Sequence, residues 1–278
     1  MLRTMALIQF ASILLSACEA RVQPTAALPL PAVAPAADAG LPQNQPGSLT
    51  LDEILERLRQ RTAEMKSYEA TINYLFIQEP DLLDSRTLRK GMLYYQKDKD
   101  RSRLRVNFET IRQDDGPERK RLEQFLFDGV WLTKIDHELK TVDLYQQAEE
   151  DDPQDVFEYI SHNFPIVGFA STDTLRQQFD ISIVEQPKDH DKPIQLHLKV
   201  KPDSVYKEDY TDIDFYIDGR DWLPLRVVAR SAQQDTYDVQ FSKSTVNKNL
   251  KTSVFMLETP DSFSKNIHPL QKDREREK

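Results

Sequence analysis

Hydrophobic residues recur along this chain with two different periods, which divide its folded part into a helix and a sheet. From Ile54 to Met65 the apolar side chains return at helical spacing. Thr50 and Glu53 form the capping-box pattern, which predicts a helix that begins after Thr50 and ends near Lys66. Beyond this helix, apolar and polar residues alternate with a period of two for most of the chain, as expected for strands.

The alternation predicts a curled antiparallel sheet. Asp128-Gly129 stands between two apolar runs and predicts a hairpin turn. Short connections and one polar face indicate antiparallel strands that are covered on one side, and about 10–11 such strands favour curling over a flat sheet. The predicted fold class is α+β: an incomplete β-barrel covered by the N-terminal helix and a central helical lid.

The lid is predicted from residues 148–178, where the alternation stops. This stretch begins with an acidic turn, continues through Phe157, Phe164, Ile166 and Phe169, and reaches a second helix start at Thr172. Its apolar residues need a surface to cover. We expect them to cover the opening of the curled sheet.

The N-terminus has the architecture of a signal peptide over residues 1–17. A basic start precedes an apolar run that is too short to cross a bilayer of about 30 Å. The run ends in Leu15-Ser16-Ala17-Cys18, which resembles the bacterial lipobox, whose cysteine is lipidated and becomes the first mature residue. Cys18 is therefore predicted to be acylated, and the alternative is an ordinary signal peptide cut after Ala20.

Composition divides the rest of the chain. Residues 18–49 carry the lipidated cysteine and a tether rich in proline and alanine, which cannot bury enough apolar surface to fold. Residues 50–264 form the predicted domain. Residues 265–278 form a predicted charged tail of mixed sign.

Charge and chemistry exclude several functions. A net charge of −9 argues against nucleic acid as a partner. A single cysteine excludes an intrachain disulfide and a thiolate zinc site. In Asp136-His137-Glu138 and Asp189-His190-Asp191, neighbours along a strand point to opposite faces and cannot converge on a metal. The sequence contains no nucleophile elbow, dinucleotide fingerprint or P-loop, so no catalysis, cofactor or metal is predicted.

Twelve hydrophobic residues on inferred inward faces or in the lid are predicted to line an apolar pocket. The alternative is that they fill a core, because periodicity identifies an inward face without showing a void beside it. The twelve are Tyr74, Phe76, Tyr94, Phe108, Leu126, Trp131, Leu144, Phe157, Phe164, Ile166, Phe169 and Phe215.

The order of the motifs from the leading helix onward resembles the LolA/LolB-type lipoprotein carrier superfamily. The motifs are Gly91-Met92-Leu93-Tyr94-Tyr95, Asp128-Gly129-Val130-Trp131-Leu132 and Ile213–Asp218 followed by Trp222-Leu223-Pro224-Leu225. The resemblance covers about residues 50–264 and implies a lidded half-barrel whose cavity holds acyl chains without catalysis. Lys97-Asp98-Lys99-Asp100 stands where the family has Arg-Pro, which departs from the family's polar latch on the lid.

The predicted function is that of a monomeric cell-envelope lipoprotein that binds acyl chains of lipids or lipoproteins for carriage or sorting to the outer membrane. It would face the periplasm and contact the membrane through lipidated Cys18. Glu19 favours the outer membrane, because Asp at that position marks inner-membrane retention in similar enterobacterial lipoproteins. The alternative is a membrane-anchored module that binds an envelope protein or senses envelope stress and transfers nothing.

Overall fold

A computed structural model describes residues 49–98, 101–156, 172–187 and 192–270. The described residues from Thr50 onward form one compact unit, which contains every described helix and strand. The described α-helices are α1 (Leu51–Ala63) and α2 (Thr172–Gln178), and Thr252–Phe255 forms a short 3-10 helix. The strands are β1 (Ser67–Gln78), β2 (Ser85–Lys97), β3 (Ser102–Gln113), β4 (Arg119–Phe127), β5 (Trp131–Asp136), β6 (Thr141–Gln146), β7 (Phe179–Glu185), β8 (Ile194–Val200), β9 (Tyr210–Ile217), β10 (Pro224–Ser231), β11 (Thr236–Val246) and β12 (Ser264–His268).

All twelve strands belong to one open sheet in the order β12-β6-β5-β4-β3-β2-β1-β11-β10-β9-β8-β7. Neighbouring strands are antiparallel except β12, which pairs with β6 in parallel. The predicted curled, incomplete barrel is confirmed. The sheet differs from the prediction in being mixed and in having one strand more, β12, which apart from Ser264 lies within the segment predicted as a charged tail.

Helix α1 begins as predicted. The Thr50 side chain accepts a hydrogen bond from the Glu53 N–H, and the Glu53 carboxylate accepts one from the Thr50 N–H at 2.7 Å. The helix ends at Ala63, a turn earlier than Lys66. Its buried side chains include Ile54 and Leu58.

The predicted turn at Asp128-Gly129 joins β4 to β5. The Asp128 carboxylate accepts hydrogen bonds from the N–H groups of Val130 at 3.0 Å and Trp131 at 2.8 Å. Gly129 has a φ of +99°, a backbone conformation that residues other than glycine rarely adopt. The local sequence therefore sets the register in which β4 and β5 pair.

The sheet has an inner face and an outer face, which differ in the residues that they carry. The inner face carries Tyr74 of β1, Phe108 of β3 and Phe125 of β4, all of them buried. The outer face carries the alternate residues, such as Tyr94 of β2 and Arg105 of β3. Successive side chains of each strand alternate between the two faces, except at bulges.

A segment that we call the outer strap, residues 247–263, crosses the outer face. Arg105 Nη1 donates hydrogen bonds to the carbonyl oxygens of Val254 at 2.6 Å and Met256 at 3.1 Å. Phe255 is buried and lies under the Arg103 guanidinium, 4.9 Å from ring to charge. The strap ends at β12, whose five side chains are all exposed. This strand is joined to β6 by main-chain pairing, by a hydrogen bond from Asn266 to Asp143 and by the stacked rings of His268 and Tyr145.

Among the described residues, no helix has both the length and the apolar character needed to cross a bilayer.

Candidate functional site

A row of aromatic side chains crosses the inner face of the sheet. The Tyr74 and Phe108 ring centroids lie 6.0 Å apart, and those of Phe108 and Phe125 lie 6.1 Å apart with nearly perpendicular planes. Where β1 pairs with β11, Phe76 packs on Tyr237 with ring centroids 5.3 Å apart. Tilted and edge-on rings at these distances attract one another by about 0.5–1.5 kcal/mol beyond their buried area.

Gly91 allows the row to pass over β2. It lies between Ile72 of β1 and Phe108 of β3 in the strand register, at a bulge in the β2–β3 pairing. A Cβ at this position would lie 1.7 Å from the carbonyl oxygen of Asn107 and 2.9 Å from the Phe108 Cα. The backbone of β3 therefore occupies the space of a side chain, and only glycine fits here.

The tyrosines on this face are uncharged at physiological pH. Burial raises the pKa of Tyr74, Tyr210 and Tyr237 above the ordinary value of 10. Their rings therefore contribute apolar surface together with the aliphatic residues of β8, β9 and β10. The larger part of the inner face is a continuous apolar surface.

One end of the inner face carries a cluster of buried charges, which we call the inner ion cluster: Arg89, Arg121, Glu123 and Asp136. Arg89 Nε donates a hydrogen bond to Glu123 Oε2 at 3.0 Å. Arg121 Nη2 contacts Glu123 Oε1 at 3.3 Å and Asp136 Oδ2 at 2.7 Å. All four side chains are at least nine-tenths buried, so each charge depends on its partners in place of water.

Lys134 borders the inner ion cluster. It is buried on β5, and its ammonium lies 6.0 Å from the Phe125 ring. Burial lowers the pKa of Lys134, while the charges of Glu123 and Asp136 act in the opposite direction. The inner face thus combines an aromatic floor with a charged end.

The structure brings four of the predicted pocket residues to the inner face: Tyr74, Phe76, Phe108 and Phe215. Four others, Tyr94, Leu126, Trp131 and Leu144, lie on the outer face by the strand register. Their predicted inward orientation is therefore corrected. The reason is that apolar residues occupy both phases of these strands: Tyr95 neighbours Tyr94, and Phe125 and Phe127 flank Leu126.

The remaining predicted site residues, Phe157, Phe164, Ile166, Phe169 and Cys18, lie outside the described residues. The helix start predicted at Thr172 is confirmed by α2. Whether the central lid covers the inner face stays a prediction.

The inner ion cluster was missed by sequence reasoning. Arg121 and Glu123 share the phase of Phe125 and Phe127 along β4, so an inward orientation follows from alternation. Charged residues in an inward phase are the signal that could have revealed the cluster.

A second group missed by sequence reasoning lies on the outer face. Ligand atoms of His197, Asp212 and Asp214 lie within 4.8 Å of one another. His197 Nδ1 is 2.9 Å from Asp214 Oδ1, and Arg230 Nη1 contacts both aspartates. The Arg230 guanidinium pairs with both carboxylates, so the group is an ion-pair network joining β8, β9 and β10.

Several solved structures are similar to this chain. An uncharacterised conserved protein from Thermus thermophilus is 13% identical, with 78% of this chain and 98% of that chain covered and a TM-score of 0.45. The lipoprotein LppX from Mycobacterium tuberculosis is 11% identical, with coverages of 73% and 100% and a TM-score of 0.42. A LolA superfamily protein from Nitrosomonas europaea is 13% identical, with coverages of 76% and 99% and a TM-score of 0.33.

The likeness to these structures concerns the fold alone. No family model and no curated protein matches the chain. With TM-scores below 0.5, these similarities leave the function to be inferred from the residues of the chain itself.

Proposed function

We propose that the protein binds acyl chains of lipids or lipoproteins on the inner face of its open sheet. The observation that carries this proposal is the continuous apolar surface built around Tyr74, Phe76, Phe108 and Phe215. These side chains are at most 7% exposed, so the gain on binding would come from the hydrocarbon chain itself, at about 25 cal/mol per Å² of its own apolar area that leaves water. No catalytic step is part of the proposal, because the inner-face carboxylates are paired with arginines.

A quenching experiment tests where the chain binds. Trp131 and Trp222 are the only two tryptophans in the sequence, and both are changed to Phe to provide a dark background in residues 50–278. Phe108→Trp then places a reporter on the inner face, and Leu126→Trp places a matched reporter on the outer face of the adjacent strand. Dibromostearate is titrated into both proteins, and unfolding midpoints confirm that both are folded.

We expect saturable quenching of the reporter at position 108 and little quenching at position 126. Equal quenching at both positions, or none at position 108, would contradict the proposal. Mass spectrometry of mildly extracted protein provides an independent check for bound lipid.

A second candidate function is a membrane-anchored interaction or sensing module whose inner face is a filled core. Phe108 and Phe215 are at most 2% exposed, which is the burial expected of core residues. This function predicts no quenching at position 108 and recovery of an envelope protein by crosslinking. The same reporters therefore separate the two candidates.

The cellular role proposed here is carriage or sorting of the bound chains at the periplasmic side of the outer membrane, by a monomer anchored through acylated Cys18. The lipobox-like sequence supports the anchor, and Glu19 supports the outer membrane. Cys18→Ser should leave the precursor unprocessed and unlabelled by radioactive palmitate. Normal processing of that variant would instead favour cleavage after Ala20.

A further inference from the structure

Three tyrosine side chains, which we call the tyrosine trio, lie at one end of the inner face: Tyr74 of β1, Tyr210 of β9 and Tyr237 of β11. Tyr74 pairs with Val239, so Tyr237, two positions earlier on β11, is its diagonal neighbour on the same face. The rings of Tyr210 and Tyr237 meet edge to face with centroids 6.5 Å apart. The trio therefore gathers three phenol groups near the end of β1 and the starts of β9 and β11.

The three hydroxyl groups are open donors on otherwise buried side chains. The tyrosines of the trio are 3%, 6% and 6% exposed, and their hydroxyls have no hydrogen-bond partner among the described residues. Buried hydroxyls are normally paired, as that of Tyr68, farther back on β1, is with the Ser244 hydroxyl at 2.9 Å. The trio hydroxyls are not sealed atoms of the kind that Arg121 Nε is, so the small accessible surface of these side chains includes their oxygens.

Each hydroxyl of the trio stays protonated and can donate a hydrogen bond. Burial raises the pKa of Tyr74 most, and the nearby Tyr237 raises it further. Burial is also the main cause of the raised pKa values of Tyr210 and Tyr237. A ligand that reaches the trio therefore meets hydrogen-bond donors that carry no charge.

The charges around the trio disfavour an anionic ligand. Arg89 lies opposite Tyr74 in the β1–β2 register, and its guanidinium donates a hydrogen bond to the Glu123 carboxylate at 3.0 Å. Asp235, just before β11, is a further negative charge close to Tyr237. A carboxylate ligand would bring a second anion to a guanidinium that already has one, whereas an uncharged carbonyl needs only hydrogen bonds.

Beyond the trio, the inner face becomes apolar along the same strands. Ile72 of β1 lies opposite Phe241 of β11, and both side chains are buried. Phe108 and Phe215 continue this surface on either side of the two strands. An acyl chain whose oxygen atom meets the trio therefore has apolar surface beside its hydrocarbon part.

We propose that the tyrosine trio binds the carbonyl oxygen of an acyl ester and so fixes the polar end of the bound chain. The proposal rests on the proposed acyl-chain binding and names its ligand class, which is esterified acyl chains in preference to free fatty acids. A carbonyl oxygen has two lone pairs and can accept hydrogen bonds from two phenol hydroxyls at once.

The first test compares a brominated ester, methyl dibromostearate, with a brominated alkane of similar length, dibromooctadecane. Both are delivered from cyclodextrin to the reporter described above, Phe108→Trp in the tryptophan-free background of residues 50–278. Adding Tyr237→Phe should weaken binding of the ester about fivefold, the effect of losing one hydrogen bond, and leave binding of the alkane unchanged. Tyr68→Phe is the matched control and should change neither affinity, because the Tyr68 hydroxyl already pairs with Ser244.

The second test needs no change to a tyrosine. The isotope-labelled carbonyl of methyl stearate is followed by infrared spectroscopy in complex with residues 50–278. Its stretching frequency should lie below that of the same ester in hexane, because a hydrogen bond weakens the C=O bond. Tyr237→Phe should move the frequency back towards the hexane value. At neutral pH, where the acid is ionised, dibromostearate should bind less tightly than its methyl ester.

Three results would overturn this proposal and leave acyl-chain binding intact: equal effects of Tyr237→Phe on the ester and the alkane, a carbonyl frequency equal to that in hexane, or tighter binding of the acid than of the ester. Quenching by none of the probes would instead refute acyl-chain binding, and the ester site with it. The two failures are thereby distinguished.

Discussion

Replacing Glu123 with glutamine should strongly destabilise the domain. Glu123 is 3% exposed and is the only carboxylate that pairs with Arg89 among the described residues. Glutamine keeps the shape of the side chain and removes its charge. Arg89, itself only 4% exposed, would then hold a buried positive charge without a counter-charge.

The size of the stability loss depends on which ion pairs remain after Glu123→Gln. Arg121 keeps Asp136 at 2.7 Å and Glu138 at 2.7 Å, so its loss is small. Breaking a buried pair at one partner costs about 3–5 kcal/mol, and we expect about 3 kcal/mol because glutamine retains one acceptor. With a urea m-value of about 2 kcal/mol per M, the unfolding midpoint should fall by about 1.5 M.

Urea unfolding followed by circular dichroism measures this shift in residues 50–278. The control is Asp84→Asn, which breaks the exposed Asp84–Arg86 pair and should leave the midpoint nearly unchanged. Replacing both partners, as Arg89→Met with Glu123→Leu, should restore most of the lost stability, since no unpaired charge remains at Arg89. A shift for Glu123→Gln no larger than that for Asp84→Asn would refute the reasoning.

Three further predictions concern single positions. Gly91→Ala should lower the free energy of unfolding by about 3 kcal/mol or more, because its Cβ would meet the β3 backbone; urea midpoints equal to those of Gly116→Ala would contradict this. Thr50→Ala should cost about 1 kcal/mol through loss of the helix cap, with Thr50→Ser as the tolerated control in thermal unfolding. Burial alone would raise the pKa of Asp214, but hydrogen bonds from His197 and Arg230 hold it below its ordinary value of 3.8. The stabilisation by Asp214 is therefore present above about pH 4 and lost as the pH falls through the lowered pKa, so Asp214→Asn should flatten the acid-unfolding curve there; an unchanged curve would contradict the assignment.

Local sequence patterns were enough to predict the elements with strong signals. The capping box at Thr50 and the turn at Asp128-Gly129 were both confirmed, because each is decided by side chains within a few residues. Strand β12 was missed because all five of its side chains are exposed, so no alternation marks it. Its pairing depends on an edge of β6 that lies far away in the sequence.

The candidate site was harder to predict than the fold. Alternation placed Tyr74 and Phe108 on the inner face but gave the wrong phase for Tyr94 and Leu126, whose strands are apolar in both phases. The outer strap covers part of the outer face, where its own Phe255 is buried. Apolar residues can therefore lie on the outer face as well as on the inner one. Ion pairs such as Arg89–Glu123 join residues on different strands, so they become visible only when the register is known.

The position of β1 in the sheet has a consequence for how the chain folds. Strands β1–β6 and β7–β11 form two separate runs of sequential neighbours, and only the pairing of β1 with β11 joins them. That pairing matches Tyr68 with Val246 and Ile77 with Thr236, so it closes a loop of most of the domain. Pairings of such high contact order form late and slowly. During synthesis or export, both halves would therefore expose an unpaired strand edge until β11 emerges, and this is the stage at which the nascent chain is most open to aggregation or to protection by a chaperone.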